Sequence, residues 1–151
     1  MQKAPMSLAA ALSLAFATSI SAQESLRFVP LTPCRIIDTR NGDGPAGGPV
    51  LQHGIDRQFP IVGRCGVPST ARAAALNLTV AGASSLGHLT VWPCCDQPPL
   101  VSNLNFNLGE YAVANSAIMP LTPGVNNIAA YVAIGPGGTA HLLVDVTGYY
   151  Q

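Results

Sequence analysis

The sequence predicts an all-β protein, a two-sheet sandwich of jelly-roll type with eight or nine strands. Three observations carry this expectation. Short apolar runs alternate with polar residues at period two, the pattern of half-buried strands. Turn formers separate the runs, with 15 Gly and 13 Pro in 151 residues. No convincing amphipathic helix is present beyond the first residues. Each such strand has one apolar face to bury, and two stacked sheets bury all of them together.

Ala73–Pro93 is the stretch around which the rest is organised. Leu76, Leu78 and Val80 alternate with Ala75, Asn77 and Thr79. Gly82 to Gly87 is a loop of small residues. Leu89 and Val91 then alternate with His88, Thr90 and Trp92, and Pro93 ends the run because it cannot donate to a ladder. The segment reads as a hairpin, apolar enough to need a second sheet over it.

The other elements follow in order. Leu26–Pro30 is a short first strand whose Pro30 suits a sheet edge. Cys34–Thr39 is a second. Asn41–Pro49 is a long loop of turn formers. Gln58–Gly63 is a third strand, and Gly66-Val67-Pro68 turns into the central pair. Cys94–Pro99 is a loop. Ser102–Leu108 alternates, with Leu104, Phe106 and Leu108 on one side and Asn103, Asn105 and Asn107 on the other. Ala112–Met119 is a strand of mixed pattern, and Pro120–Gly124 turns. Ile128, Ala130, Val132 and Ile134 mark the next strand. Gly135–Gly138 makes a tight return, and Ala140–Tyr150 closes the domain. No internal repeat of fixed period is present.

Residues 1–22 read as a secretory signal peptide. Lys3 is the charged start, Leu8–Ile20 the apolar run, and Ile20-Ser21-Ala22 the cleavage site. The run is too short to span a bilayer, which takes roughly 20 residues. Residues 23–151 would form one domain, large enough for a core.

Lys3 is the only lysine, and the seven basic residues balance seven acids. That balance gives no basic footprint for nucleic acid or anionic lipid. Charged residues make up 9% of the chain, against roughly 25% in an ordinary soluble domain. So mild a surface suits a protein that other copies of itself, another protein or glycan partly cover, or else an Asn/Thr-rich surface that stays soluble without charge.

Export permits disulfides. Four cysteines allow three full connectivities. Cys34 and Cys65 sit at strand edges, and pairing them would close a loop worth roughly 3–4 kcal/mol in the chain-entropy model. The adjacent Cys94 and Cys95 could form a vicinal disulfide, stay free, or bond another chain. No CxxC or HxxxH spacing supports zinc.

The chain resembles a family of all-β modules found in secreted and surface proteins of bacteria. The resemblance rests on Phe28-Val29-Pro30, Pro33-Cys34-Arg35-Ile36-Ile37-Asp38-Thr39-Arg40, Gly66-Val67-Pro68, Leu76-Asn77-Leu78-Thr79-Val80 and Leu89-Thr90-Val91-Trp92-Pro93. It continues through Ser102-Asn103-Leu104-Asn105, Ala114-Asn115 and Asp145-Val146-Thr147-Gly148-Tyr149-Tyr150. It implies a β-sandwich, an exterior location and a Cys34–Cys65 bridge. It assigns no activity. Cys94-Cys95 departs from the family pattern, where small polar residues follow Trp-Pro.

Candidate chemistry is sparse. Asp38-Thr39-Arg40 reads as a local ion pair with turn hydrogen bonds. Asp38, Asn41 and Asp43 are weak calcium candidates, since calcium takes six to eight oxygens. Asp145, among apolar neighbours, reads as a buried acceptor for backbone or arginine groups. His53, His88 and His141 belong to no acid–nucleophile pattern, and no GxSxG, HExxH or phosphate loop is present. No catalytic residue, cofactor or firm metal site is expected. Trp92 and Tyr111 are candidates for a glycan platform or an interface, with the Asn41–Pro49 loop as a possible cover for Trp92. Asn77-Leu78-Thr79 matches a glycosylation sequon, but in mid-strand. Leu26 and Phe28 mark an edge segment able to add a strand to a neighbouring sheet. The expected function is a self-associating structural subunit of a fibre or surface layer, the alternative a carbohydrate-binding module.

Overall fold

The computed structural model describes residues 25–122 and 127–151. Residues 1–22, read above as a signal peptide, and most of the turn after Pro120 lie outside the described residues. Nine strands are formed among them: β1 (Phe28–Asp38), β2 (Leu51–Gln52), β3 (Arg57–Pro60), β4 (Ala73–Ala81), β5 (Gly87–Pro93), β6 (Leu104–Phe106), β7 (Ala112–Pro120), β8 (Asn127–Ile134) and β9 (Thr139–Tyr150). One antiparallel sheet has the order β1-β9-β4-β7, with β2 added to β9. The other has the order β3-β8-β5-β6. From β3 onward every connection except β5 to β6 crosses between sheets, which is jelly-roll order.

The core lies between the two sheets. Leu76, Leu78 and Val80 of β4 and Leu142, Val144 and Val146 of β9 face Leu89 and Val91 of β5, Phe59 of β3 and Ile128, Ala130 and Val132 of β8, all buried. Each large side chain so buried contributes about 1.5–3 kcal/mol.

Four sequence expectations are corrected. Ala73–Pro93 is not a hairpin. β4 pairs with β7 and β9, and β5 with β6 and β8. The two strands stack across the core instead of lying side by side. Period-two alternation fixes which face is apolar, not which strand lies alongside. Leu26–Pro30 and Cys34–Thr39 are one strand, β1, whose register on β9 shifts between Pro30 and Cys34 and again between Arg35 and Ile37. The bulges absorb Pro33 and bend the strand without ending it. Ser102–Leu108 contributes only Leu104–Phe106, and Leu108 is exposed. Gln58–Gly63 is a strand only to Pro60, and starts one residue earlier, at Arg57.

Two clasps hold the long loops. Arg57 lies over the Phe59 ring at 4.7 Å. Its guanidinium donates to the carbonyls of Gly47, Gly48 and Pro49, the first two at 3.2 and 3.0 Å. Burial pushes its pKa down. The Asn41–Pro49 loop is thus tied down by a cation that spends itself on backbone oxygens. At the other edge, the Asn103 Oδ1 accepts from Val91 N at 2.6 Å, and Asn103 N donates to Leu89 O at 2.9 Å. The Asn115 side chain donates to Asn103 O at 2.6 Å, tying β7 across to the second sheet.

Candidate interaction surface

The first sheet carries an ion-pair network between β1 and β9. β1 places Arg35 opposite Asp145 and Asp38 opposite Leu143 of β9. Arg35 donates to Asp145 through Nε and Nη2, at 2.7 and 2.9 Å. Its Nη1 reaches Asp38 at 3.4 Å. Arg40 donates to Asp38 through Nε and Nη2, at 2.9 and 2.7 Å, and through its backbone N at 3.1 Å. The side-chain hydrogen bond from Arg40 comes first among the causes that hold the Asp38 carboxyl down to about 2. Arg35 and Arg40 are raised in turn, chiefly by hydrogen bonds to Asp145 and Asp38 respectively.

This network settles two expectations. Asp38-Thr39-Arg40 is a local ion pair, with the Thr39 hydroxyl accepting from Leu142 N at 2.9 Å. Asp145 is half-buried and bonded to arginine, so it is an acceptor at the surface instead of in the interior. As a calcium ligand Asp38 is badly placed, because both carboxylate oxygens face guanidinium groups that repel a second cation. Asn41 and Asp43 are exposed in the loop. No group of three or more His, Cys, Asp or Glu residues is placed to hold a metal among the described residues.

Trp92 is not a platform. It is 4% exposed, and its Nε1 donates to Asp96 O at 3.0 Å. The loop after β5, which opens with the Cys94–Cys95 disulfide, therefore lies against it. The same segment returns past Leu100 and Val101, where the Thr90 hydroxyl donates to Val101 O at 2.6 Å. A cleft of about 510 Å³ lies there on the outer face of the second sheet, lined by His88, Thr90, Leu100, Val101, Tyr131 and Ala133. Tyr111 is 89% exposed, just before β7.

Cys34 and Cys65 are bonded, with Cα atoms 5.9 Å apart. The bridge ties β1 to a turn in which Val67 N donates to Arg64 O at 2.9 Å and Cys65 and Gly66 both have positive φ. Leu26 and Phe28 are exposed, Phe28 at 44%. The Phe28 ring packs on Tyr150 with centroids 5.1 Å apart and lies across Gly148, where a Cβ would strike the ring. That contact explains why the closing Asp145–Tyr150 segment needs a glycine at its centre.

The edges differ in how they are guarded. β1 carries Pro30, Pro33, two bulges and the disulfide-tethered turn. β3 has four residues, including Arg57 and Pro60, and β6 has three. β7 has nine residues, pairs with β4 in an unbroken register of nine, and carries no charge. Its mixed pattern, with Ala112, Ala114, Ser116 and Ile118 exposed, is that of an edge strand. The sequence named none of these residues as interface candidates. Their signal was the absence of charge on a strand without clean alternation. Beside them, a groove of about 360 Å³ runs over Ala75 and Asn77 between Ile118 and Thr147.

No helix among the described residues is long and apolar enough to cross a membrane. Neither a scan against models of protein families nor a search of curated proteins found a match to this chain.

Proposed function

We propose that this chain is a secreted, non-enzymatic structural module, a self-associating subunit of an extracellular fibre or cell-surface layer. The observation that carries the reading is β7, a long, regular, uncharged edge strand of a kind that native proteins normally block. The sparse charge of the whole chain supports it, because little on the surface would repel a second copy. Two disulfides are compatible with an oxidising exterior. The resemblance to bacterial surface modules points the same way.

Light scattering and electron microscopy of residues 23–151 test the proposal. Concentration-dependent growth in mass is the expected result. A protein that stays monomeric at millimolar concentration with both disulfides formed overturns it. Carbohydrate binding, the alternative, draws on Tyr111 and on the cleft beside Tyr131, since Trp92 is buried. Binding on a glycan array that is lost in Tyr131→Ala would favour it.

A further inference from the structure

We infer that β7 docks against β7 of a second copy, antiparallel about a two-fold axis, with Ala114 of each copy opposite Ser116 of the other. The inference rests on the self-association reading and names its surface, partner and register.

The backbone of β7 shows which groups are open. Leu121 N donates to Arg72 O at 2.8 Å, and Tyr111 O accepts from Gly82 N at 3.3 Å, so the odd-numbered residues face β4. In an antiparallel ladder the alternate residues turn their N–H and C=O the other way. Those are Ala112, Ala114, Ser116 and Ile118. Ser116 N is bonded by the Asn115 Oδ1 at 2.9 Å, which confirms its outward direction. No β-strand pairs with this edge among the described residues.

The partner follows from the guards. Proline, bulges, shortness or a tethered turn block the edges of β1, β3 and β6, so the edge free to pair on a second copy is β7 itself. Two copies of one surface meet about a two-fold axis. One register engages all four open residues. It pairs Ala112 with Ile118 and Ala114 with Ser116, each twice. Every facing side chain is small or uncharged, so the two-fold brings no like charges together. Asn115 falls on the axis opposite its own copy, in a pair without ladder bonds, where side chains come closest. Its Nδ2 stays bonded to Asn103 O, so it is the Oδ1 that can leave Ser116 N and turn to the joint. The shield of the single molecule becomes part of the joint. The pair closes on itself, so growth beyond it runs through another surface.

Sedimentation of residues 23–151 over a concentration series, with hydrogen exchange at each concentration, tests this. The expected result is a dimer in which the amides of Ala112, Ala114 and Ile118 become protected. Ala114→Pro removes an outward N–H from each copy and leaves the ladder to β4 intact, and should weaken the dimer by at least about tenfold. Ala114→Lys and Ser116→Glu each weaken it, while an equimolar mixture of the two recovers about two- to fivefold more dimer than either alone. The mixture carries the test should Ala114→Pro fail to fold. Association that persists in these variants, with the amides of Ala112 and Ile118 still exchanging freely, overturns the β7 joint but leaves self-association standing. A monomer at every concentration overturns both.

Discussion

Arg40 grips the carboxylate of Asp38, two residues before it, with a two-pronged bond at 2.9 and 2.7 Å and its own backbone N at 3.1 Å. Asp38 is almost buried, while Arg40 stays exposed at the surface. The last residue of β1 is thus closed by its own chain, with Arg35 adding a longer contact from below. Such a bond is charge-assisted and fixes direction as well as energy.

The bond predicts an acid-sensitive stability. Asp38 titrates at about 2 in the fold, below the usual carboxylate value. A depressed folded pKa stabilises above the unfolded pKa, and that stabilisation is lost as pH falls through the folded value. Discounted for the exposed Arg40, it is about 1–2 kcal/mol at neutral pH. Urea midpoints should therefore fall between about pH 4 and pH 2. In Asp38→Asn this part of the fall should be absent. An unchanged acid limb in the variant would show that other carboxylates dominate.

The Cys34–Cys65 bridge spans 31 residues of sequence. Replacing both cysteines by serine should cost about 3–4 kcal/mol, through the freer unfolded chain. Denaturant unfolding of the double variant, with Cys94 and Cys95 untouched, measures this. A loss under about 1 kcal/mol would mean that the reduced chain keeps the turn in place.

Asn103 replaces a strand at the place where β5 loses its neighbour. Asn103→Ala leaves Val91 N without its acceptor and should cost about 1–3 kcal/mol. Exchange at the Val91 amide should rise well above that of its β5 neighbours. If Val91 stays protected in the variant, another acceptor takes over.

Gly148 sits beneath Phe28, and a Cβ there would also come within 2.8 Å of Val29 O. Gly148→Ala should push the ring off Tyr150 and cost about 1–3 kcal/mol. The near-ultraviolet circular dichroism should change with it. Gly137→Ala serves as a contrast, because no atom stands within 4 Å of its Cβ position, although its positive φ carries a strain of its own.

Much of the molecule is decided by local pattern. The alternation in Ala73–Ala81 and in Gly87–Pro93 marks both as strands, and the apolar phase of β4, β5 and β8 is buried in the core, although Thr90, Trp92 and Ala129 of the opposite phase are buried as well. Gly and Pro place the turns, and the near absence of charge announces an unusual surface. These features are local because side-chain direction repeats every two residues, whatever the strand's neighbours are. Neighbours are another matter. Tertiary structure decided that β4 and β5 face one another across the core instead of pairing. It decided that Pro33 is carried in a bulge, and that the loop holding Asp96 lies against Trp92. It left β7 at the rim, a strand whose inner face is covered only through Val113, Ala117 and Met119, so that its alternation is weak. Strand pairing depends on contacts between residues far apart in sequence, so a period read along the chain fixes the faces of this protein and leaves its edges to the fold.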